Sequence, residues 1–418
     1  MLGNCEFDDW FAVYKNEMLP ELLEYLSIDT SSGKERAAVP YLGYMLEKYG
    51  FSFHVEQYHA ELGGHRANTG LDENNGKINI RSKFNSLSVT DSTVLFNSHI
   101  DVVPAEGEGK KLLSPWIDRN FIYGRGSCDT KGNLFLLFGA LAFLKHRQIC
   151  PQFKILLDLV SEEEVGGNGT LSTILHGVSA DLVVVFEPTD LAVHRGHRGC
   201  LTCEITVIGK AVHMGSILDG VSAITVAIRL IEGLKILEKE MISEANSDGA
   251  FSIWKRPVQI NVGKISGGEW PGSVPEKCSF TFNIGFLPTS SIESIETVVK
   301  ARMESVLSEF PGVKVDFNFN VGLRNKAYLV SEKDVFLKGL DKSVSDARGL
   351  TKEDHIFAWR ASCDARHYAQ EANIPTAIFG AGSLSDAQSA DEKIDIDQMG
   401  MGIKALAIFL SSPLMDAA

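Results

Sequence analysis

Apolar residues recur at helical spacing in the first segment, with Phe11, Val13, Met18, Leu22, Leu23 and Leu26 along Phe7 to Leu26. That spacing predicts a surface helix with one face on a core. Ser31-Ser32-Gly33-Lys34-Glu35 offers a helix start ahead of Ala38 to Tyr49. From Phe51 to Ile155 short strands alternate with Gly- or Asn-containing turns, and Asn133 to Arg147 reads as one strong helix. Val94-Leu95-Phe96, Ile155 to Val160 and Leu182 to Phe186 are unbroken apolar runs, as expected of strands covered on both faces.

The rhythm changes after Glu187. Amphipathic strands at Leu201 to Ile208, Val258 to Ile265, Cys278 to Gly285 and Val313 to Phe319 bracket helices over Gly220 to Glu240 and Ser290 to Glu309. Strand, helix, strand, strand, helix, strand is the split βαβ order of a small two-layer domain. Beyond Val330 the first pattern resumes, with a helix over Glu332 to Val344 and a buried strand at Thr376 to Phe379. The expected architecture is α/β. Residues 1–198 and 318–418 form one domain, a mixed central sheet flanked by helices, and 199–317 form a smaller inserted α+β domain of ferredoxin-like order.

A chain of 418 residues with 44% hydrophobic content can bury a large core. Its formal charge of −14 disfavours nucleic acid and anionic membranes as partners. The longest apolar stretch near the C-terminus, Ile403 to Leu410, is about half a membrane span, and Met1 to Trp10 lacks the basic and apolar regions of a signal peptide. Seven dispersed cysteines, an odd number, read as free thiols in a reducing compartment, so a cytoplasmic location is the default. Cys200 and Cys203 open a strand and face opposite ways, which makes a poor metal pair.

Chemistry concentrates where the apolar runs stop. In open α/β sheets ligands bind beyond the carboxyl ends of the strands. His99 and Asp101 lie two apart at such an end, hence on one face, and a metal-bound imidazole needs an acceptor on its other nitrogen; a capped strand end is the alternative. Asp129 sits in the Gly-rich segment Gly124-Arg-Gly-Ser-Cys-Asp-Thr-Lys-Gly132, where it either bridges cations or caps the helix that follows. Glu162-Glu163-Glu164 repel one another at the end of an apolar strand, so a cation or solvent must offset the cost. Adjacent glutamates can divide labour, one holding metal and one accepting a proton from water.

His99-x-Asp-x-x-Pro, Gly-Arg-Gly-x-x-Asp129-x-Lys-Gly, Glu163-Glu164-x-Gly-Gly and Glu187-Pro-Thr together resemble the zinc metallohydrolases that include acetylornithine deacetylase, succinyl-diaminopimelate desuccinylase, aminoacylase and the glutamate carboxypeptidases. Gly209-Lys-Ala-Val-His213, Gly267-Gly-Glu-Trp-Pro271 and Ser362-Cys-Asp364-Ala-Arg366 extend the likeness along the chain. The resemblance implies a zinc-exopeptidase-like domain with an inserted lid and dimerisation domain. His99 and Glu187 would hold one zinc, Asp129 would bridge, Glu164 would hold a second, and Asp101 would support His99. Glu163 would be the general base of a hydrolysis that cleaves an N-acylated amino acid or related small amine. His213, supplied across a homodimer, would stabilise the oxyanion. Arg366, in the segment with Asp364, would pair with a substrate carboxylate.

One position departs from that pattern. Where the family has a metal-binding histidine in Ala-His-x-x-Asp-Glu, this chain reads Ala387-Gln388-Ser389-Ala390-Asp391-Glu392, and no histidine follows His367. An amide oxygen is a weaker zinc ligand than imidazole, so one or two zinc ions are open, with manganese or cobalt at the weakened second site. A catalytically silent, ligand-binding member and an acyl-transfer or condensation enzyme are the alternative functions.

Overall fold

The computed structural model describes residues 4–31, 33–68, 77–245, 249–350 and 355–414; Ser32 of the expected helix start and the side chain of Cys5 lie outside the described residues. The chain divides into two compact units, one of Met1–Gly196 with Val330–Trp359 and Cys363–Ala418, the other of His197–Leu329 with Arg360–Ser362.

The larger unit is built on a six-stranded sheet in the order Phe51–Gln57, Ile78–Phe84, Lys154–Val160, Thr93–His99, Leu182–Phe186, Thr376–Phe379. The first two strands run antiparallel to their neighbours and the last four are mutually parallel. The unbroken apolar runs are therefore the parallel centre of the sheet, where both faces are covered. Leu182–Phe186 is buried throughout. Helix Lys131–His146 is buried along almost its whole length, and Ile396–Ser411 packs beside it, with Ile403 against Gly139 and Gly402 against Leu136. Phe96, Phe135, Leu157, Val184, Phe186 and Phe379 share one core. Burial on this scale contributes about 1.5–3 kcal/mol per large apolar side chain. Because the central strands are parallel, their carboxyl ends lie along one edge, where His99, Ser161 and Glu187 emerge.

The smaller unit carries an antiparallel sheet in the order Gln259–Gly267, Lys277–Phe286, Gly199–Ile208, Lys314–Asn318, with helices Ala223–Ala245 and Ile292–Leu307 between strands. The strict alternation of Gly199–Ile208 sends Leu201, Cys203, Ile205 and Val207 to the helices and leaves Cys200, Thr202, Glu204 and Thr206 on the other face. Cys200 and Cys203 accordingly face opposite ways. Among the described residues no helix is long and apolar enough to cross a membrane.

Candidate metal centre

Thr93–His99 ends on His99, whose ring is buried. Its Nδ1 lies 2.8 Å from the main-chain carbonyl of Asp101. A carbonyl only accepts, so Nδ1 carries the proton and Nε2 is the free ligand atom. That nitrogen faces Asp129 Oδ1 at 3.1 Å. Burial alone pushes the His99 pKa down, yet the bond to Asp129 and the charges of Glu163, Asp101 and Asp129 carry it well above the ordinary range. The acids thus demand a positive charge at this point.

Asp101 has a second task that sequence reading does not reveal. Its carboxylate accepts the backbone N–H of Glu163 at 3.2 Å and of Glu164 at 3.1 Å. The main chain of Asp101 orients the histidine, while its side chain holds the acidic turn. Burial lifts the Asp101 pKa to about 6.

The three consecutive glutamates separate in space. Glu162, at φ +67°, turns away to Lys77 at 3.1 Å. Glu163 and Glu164 are left beside His99. Gly167, at φ +80°, closes the turn so tightly that a Cβ there would meet Asp364 Oδ1 at 2.0 Å. Only glycine fits both the conformation and the space.

Asp129 does not cap the helix it precedes. Thr130 takes the N-cap position, and its side chain makes no capping bond. The peptide bond Asp129–Thr130 is cis. The Asp129 loop is held from outside by Glu392, whose Oε1 accepts the N–H groups of Cys128 at 3.3 Å and Asp129 at 3.2 Å, while Oε2 accepts from Arg125 at 2.6 Å. Glu392 and Arg125 are fully or almost fully buried. Both lie in segments that carry the family likeness, which was the signal available for them.

Among the described residues two groups of potential ligands emerge: His99, Glu163 and Glu187, and His99, Asp129 and Glu164, with the ligand atoms of each within 4.8 Å of one another. Glu187 Oε1 and Glu164 Oε1 are buried without a hydrogen-bond partner. Burial, then nearby acids, raises the pKa of both carboxyls well above the usual range. Orphaned buried carboxylate oxygens beside an imidazole nitrogen fit a divalent cation. Gln388, at φ +58°, donates its Nε2 to Glu164 Oε2 at 2.6 Å and lies 3.4 Å from Asp129 Oδ2.

Arg366 differs from expectation. Its guanidinium is buried, with Nη1 on the Cys363 carbonyl and Nη2 on the Gly166 carbonyl, each at 2.7 Å. These donors are occupied by the main chain of the acidic turn, so Arg366 braces that turn and does not stand open to a substrate carboxylate. Asp364 is likewise buried and accepts the Thr170 hydroxyl at 2.5 Å. His213 belongs to the smaller unit, where it is exposed and its Nδ1 accepts the Gly215 N–H at 3.1 Å. His194 is core, with burial holding its pKa down at about 4.

The model of peptidase family M20/M25/M40 matches residues 95–412. An N-formyl-4-amino-5-aminomethyl-2-methylpyrimidine deformylase of Halalkalibacterium halodurans is 27% identical over 340 residues, 76% of this chain and 78% of that protein. A probable succinyl-diaminopimelate desuccinylase of Staphylococcus aureus is 24% identical over 426 residues, 94% and 96% of the two chains. Human carnosine dipeptidase 1 shares the fold with a TM-score of 0.74 at 16% identity, covering 97% of this chain and 98% of that one.

Proposed function

The chain belongs to peptidase family M20/M25/M40 and is a metal-dependent hydrolase of amide C–N bonds, and we propose that it removes a small acyl group from an N-acylated amino acid or related amine. The observation that carries this reading is the pair of unpartnered buried oxygens on Glu164 and Glu187 beside His99 Nε2 and Glu163. The names of the two relatives, a deformylase and a desuccinylase, point to small acyl groups.

His99, Asp129 and Glu187 would hold a zinc ion, and Glu164 with Gln388 offers a weaker donor set, the one manganese or cobalt would favour if a second ion bound. A bound divalent cation supplies Lewis-acid polarisation of the amide carbonyl and lowers the pKa of water. Glu163 accepts a proton from the attacking water and returns it to the leaving nitrogen, so the amine departs neutral. Asp101 fixes the backbone from which Glu163 projects, and Arg366 with Asp364 packs behind the same turn. Stabilisation of the oxyanion falls to His213, delivered from a partner subunit.

Dimerisation through the smaller unit is supported by the exposed apolar residues around His213: Met214, Ile217, Leu218 and Trp270, with Leu218 96% exposed. A reducing, cytoplasmic setting fits the described cysteines, among which no disulfide is formed. The test is a panel of N-formyl, N-acetyl and N-succinyl amino acids, assayed with zinc, after chelation, and after zinc is restored. Turnover that chelation abolishes and zinc recovers is expected. No turnover of any panel member by the zinc-loaded protein would sink the proposal.

A further inference from the structure

We propose that this chain holds one metal ion per subunit, with the side-chain amide of Gln388 occupying the place of a second; this rests on the deacylase reading above. Gln388 Nε2 donates to Glu164 at 2.6 Å and reaches toward Asp129 at 3.4 Å. These are the two carboxylates that a second cation would need. An imidazole at this position presents a lone pair to a metal, whereas the amide NH2 presents hydrogens to the carboxylates themselves. To become a ligand, Gln388 must turn its oxygen inward and give up the bond to Glu164.

The nitrogen supply points the same way. Both ligand groups depend on His99, and His99 has one free nitrogen because Nδ1 is engaged by the Asp101 carbonyl. A second ion would therefore rest on Asp129, Glu164 and an amide oxygen alone. All-oxygen sets suit magnesium, calcium or manganese and hold zinc poorly. The turn that aims Gln388 is closed by bonds from Ala387 N to Ser383 O at 3.1 Å and from Ser389 N to Asp386 O at 3.3 Å. Gln388 is exposed, so substitution there leaves the core untouched.

The test is zinc content by mass spectrometry on full-length protein equilibrated with zinc and then gel-filtered, paired with calorimetric zinc titration. One ion per chain is expected for the native sequence and two for Gln388→His. Cobalt-loaded protein should show the spectrum of isolated ions in the native chain and of a magnetically coupled pair in the variant. Two zinc ions in the native chain, or a single ion in Gln388→His, overturns the assignment. No zinc at all overturns the deacylase reading from which it starts.

One face of the smaller unit brings Arg198 near Arg360 and Arg256, the last paired with Glu238. Arg198 is 8% exposed; its carbonyl is bonded to His197 Nδ1 at 2.7 Å, while its guanidinium makes no hydrogen bond or ion pair among the described residues. Burial and the nearby Arg360 and Arg256 push its pKa down to about 10. Its side chain lies flat over Gly285, where a Cβ would meet Arg198 Nε at 3.1 Å. The register places Gln259, Gly285 and Cys200 in one row across the sheet, and Asn261, Asn283 and Thr202 in the next. Arg198, Arg256, Asn261, Asn283 and Ser362 line a cavity of about 460 Å³ on this face.

We infer that Arg198 anchors an oxyanion site within the smaller unit, for a carboxylate or a phosphate. A guanidinium offers paired donors that match either group, and the amides of Asn261 and Asn283 supply neutral donors beside it. The carboxylate of an acylated substrate and a separate free anion share this chemistry. Zinc-loaded full-length protein is titrated with succinate and with inorganic phosphate, alongside Arg198→Gln and the more exposed Arg256→Gln. Saturable binding below about 10 mM that Arg198→Gln abolishes and Arg256→Gln weakens is expected. Binding unchanged in both variants, or none to the native chain, overturns the site. A rise in KM with unchanged kcat for an N-acetyl amino acid, absent for its carboxamide, assigns the anion to the substrate; unaltered KM assigns it to a free ligand.

Discussion

The acid cluster of the larger unit and the arginine face of the smaller one both crowd like charges, and they are supported differently. At the metal centre three acids are gripped through their backbones: Asp101 holds the N–H groups of Glu163 and Glu164, and Glu392 holds that of Asp129. Those grips fix the scaffold, while Glu164 and Glu187 each keep one buried oxygen unsatisfied. On the arginine face the charge itself is immobilised, because Arg198 lies over Gly285 with its neighbours' amides around it. A site built to bind an ion fixes the scaffold and leaves the ligand atoms unsatisfied; burial without partners stores the same unmet demand in a single side chain.

The comparison breaks first at Glu163. Glu163→Gln should lower turnover by about 10²–10⁴-fold, the usual worth of a general base, with zinc content unchanged; loss of zinc alongside activity would make Glu163 a ligand. Next comes the scaffold. Gly167→Ala forces a Cβ to within 2.0 Å of Asp364 Oδ1 at a φ of +80°, and should cost on the order of 2–4 kcal/mol in denaturant melts and weaken zinc affinity through the displaced turn.

The arginine face gives the third prediction. The folded pKa of Arg198, about 10, lies well below that of an unfolded arginine. Its charge therefore destabilises the fold at every pH below about 10, and the cost disappears as pH rises above that toward the unfolded arginine's pKa. Arg198→Met should stabilise the anion-free protein at neutral pH by on the order of 2–3 kcal/mol, read as a higher Tm. A lower Tm would mean that the guanidinium is compensated.

Asp158 is the control, a buried acid that does have partners in Arg81 and Tyr368. Burial still lifts its pKa from 3.8 to about 6. A carboxyl with a raised folded pKa favours the fold at low pH and loses that advantage as pH climbs from 3.8 to 6. Asp158→Asn should flatten this part of the stability profile by roughly 2 kcal/mol, measured as the difference from the native chain between about pH 4 and pH 7. An unchanged difference would show that Arg81 already compensates the charge.

Much of this is legible in the sequence. The three apolar runs marked the parallel strands, and the likeness assembled around His99, Asp129, Glu163, Glu164 and Glu187 named the residues that the fold brings to one edge. Helix Ile396–Ser411 registered only as an apolar stretch because it is covered on nearly all sides and so shows little period. Which two of three glutamates face the site depends on Lys77, some eighty residues earlier, which no local pattern reports. The donors of Arg366 go to carbonyls of residues 363 and 166; a motif that names an arginine says nothing about what already occupies it. Arg198 stayed silent for the same reason, since its isolation is a property of the sheet face and not of its neighbours in sequence.

Asp101 ties the nitrogen ligand to the proton acceptor. One residue sets the tautomer of His99 with its main chain and the height of Glu163 with its side chain. The two functions are therefore inherited together. A lineage that retunes metal preference by shifting His99 also moves the base, so new metal specificities should arise by changes on the Gln388 side, which is free of that linkage.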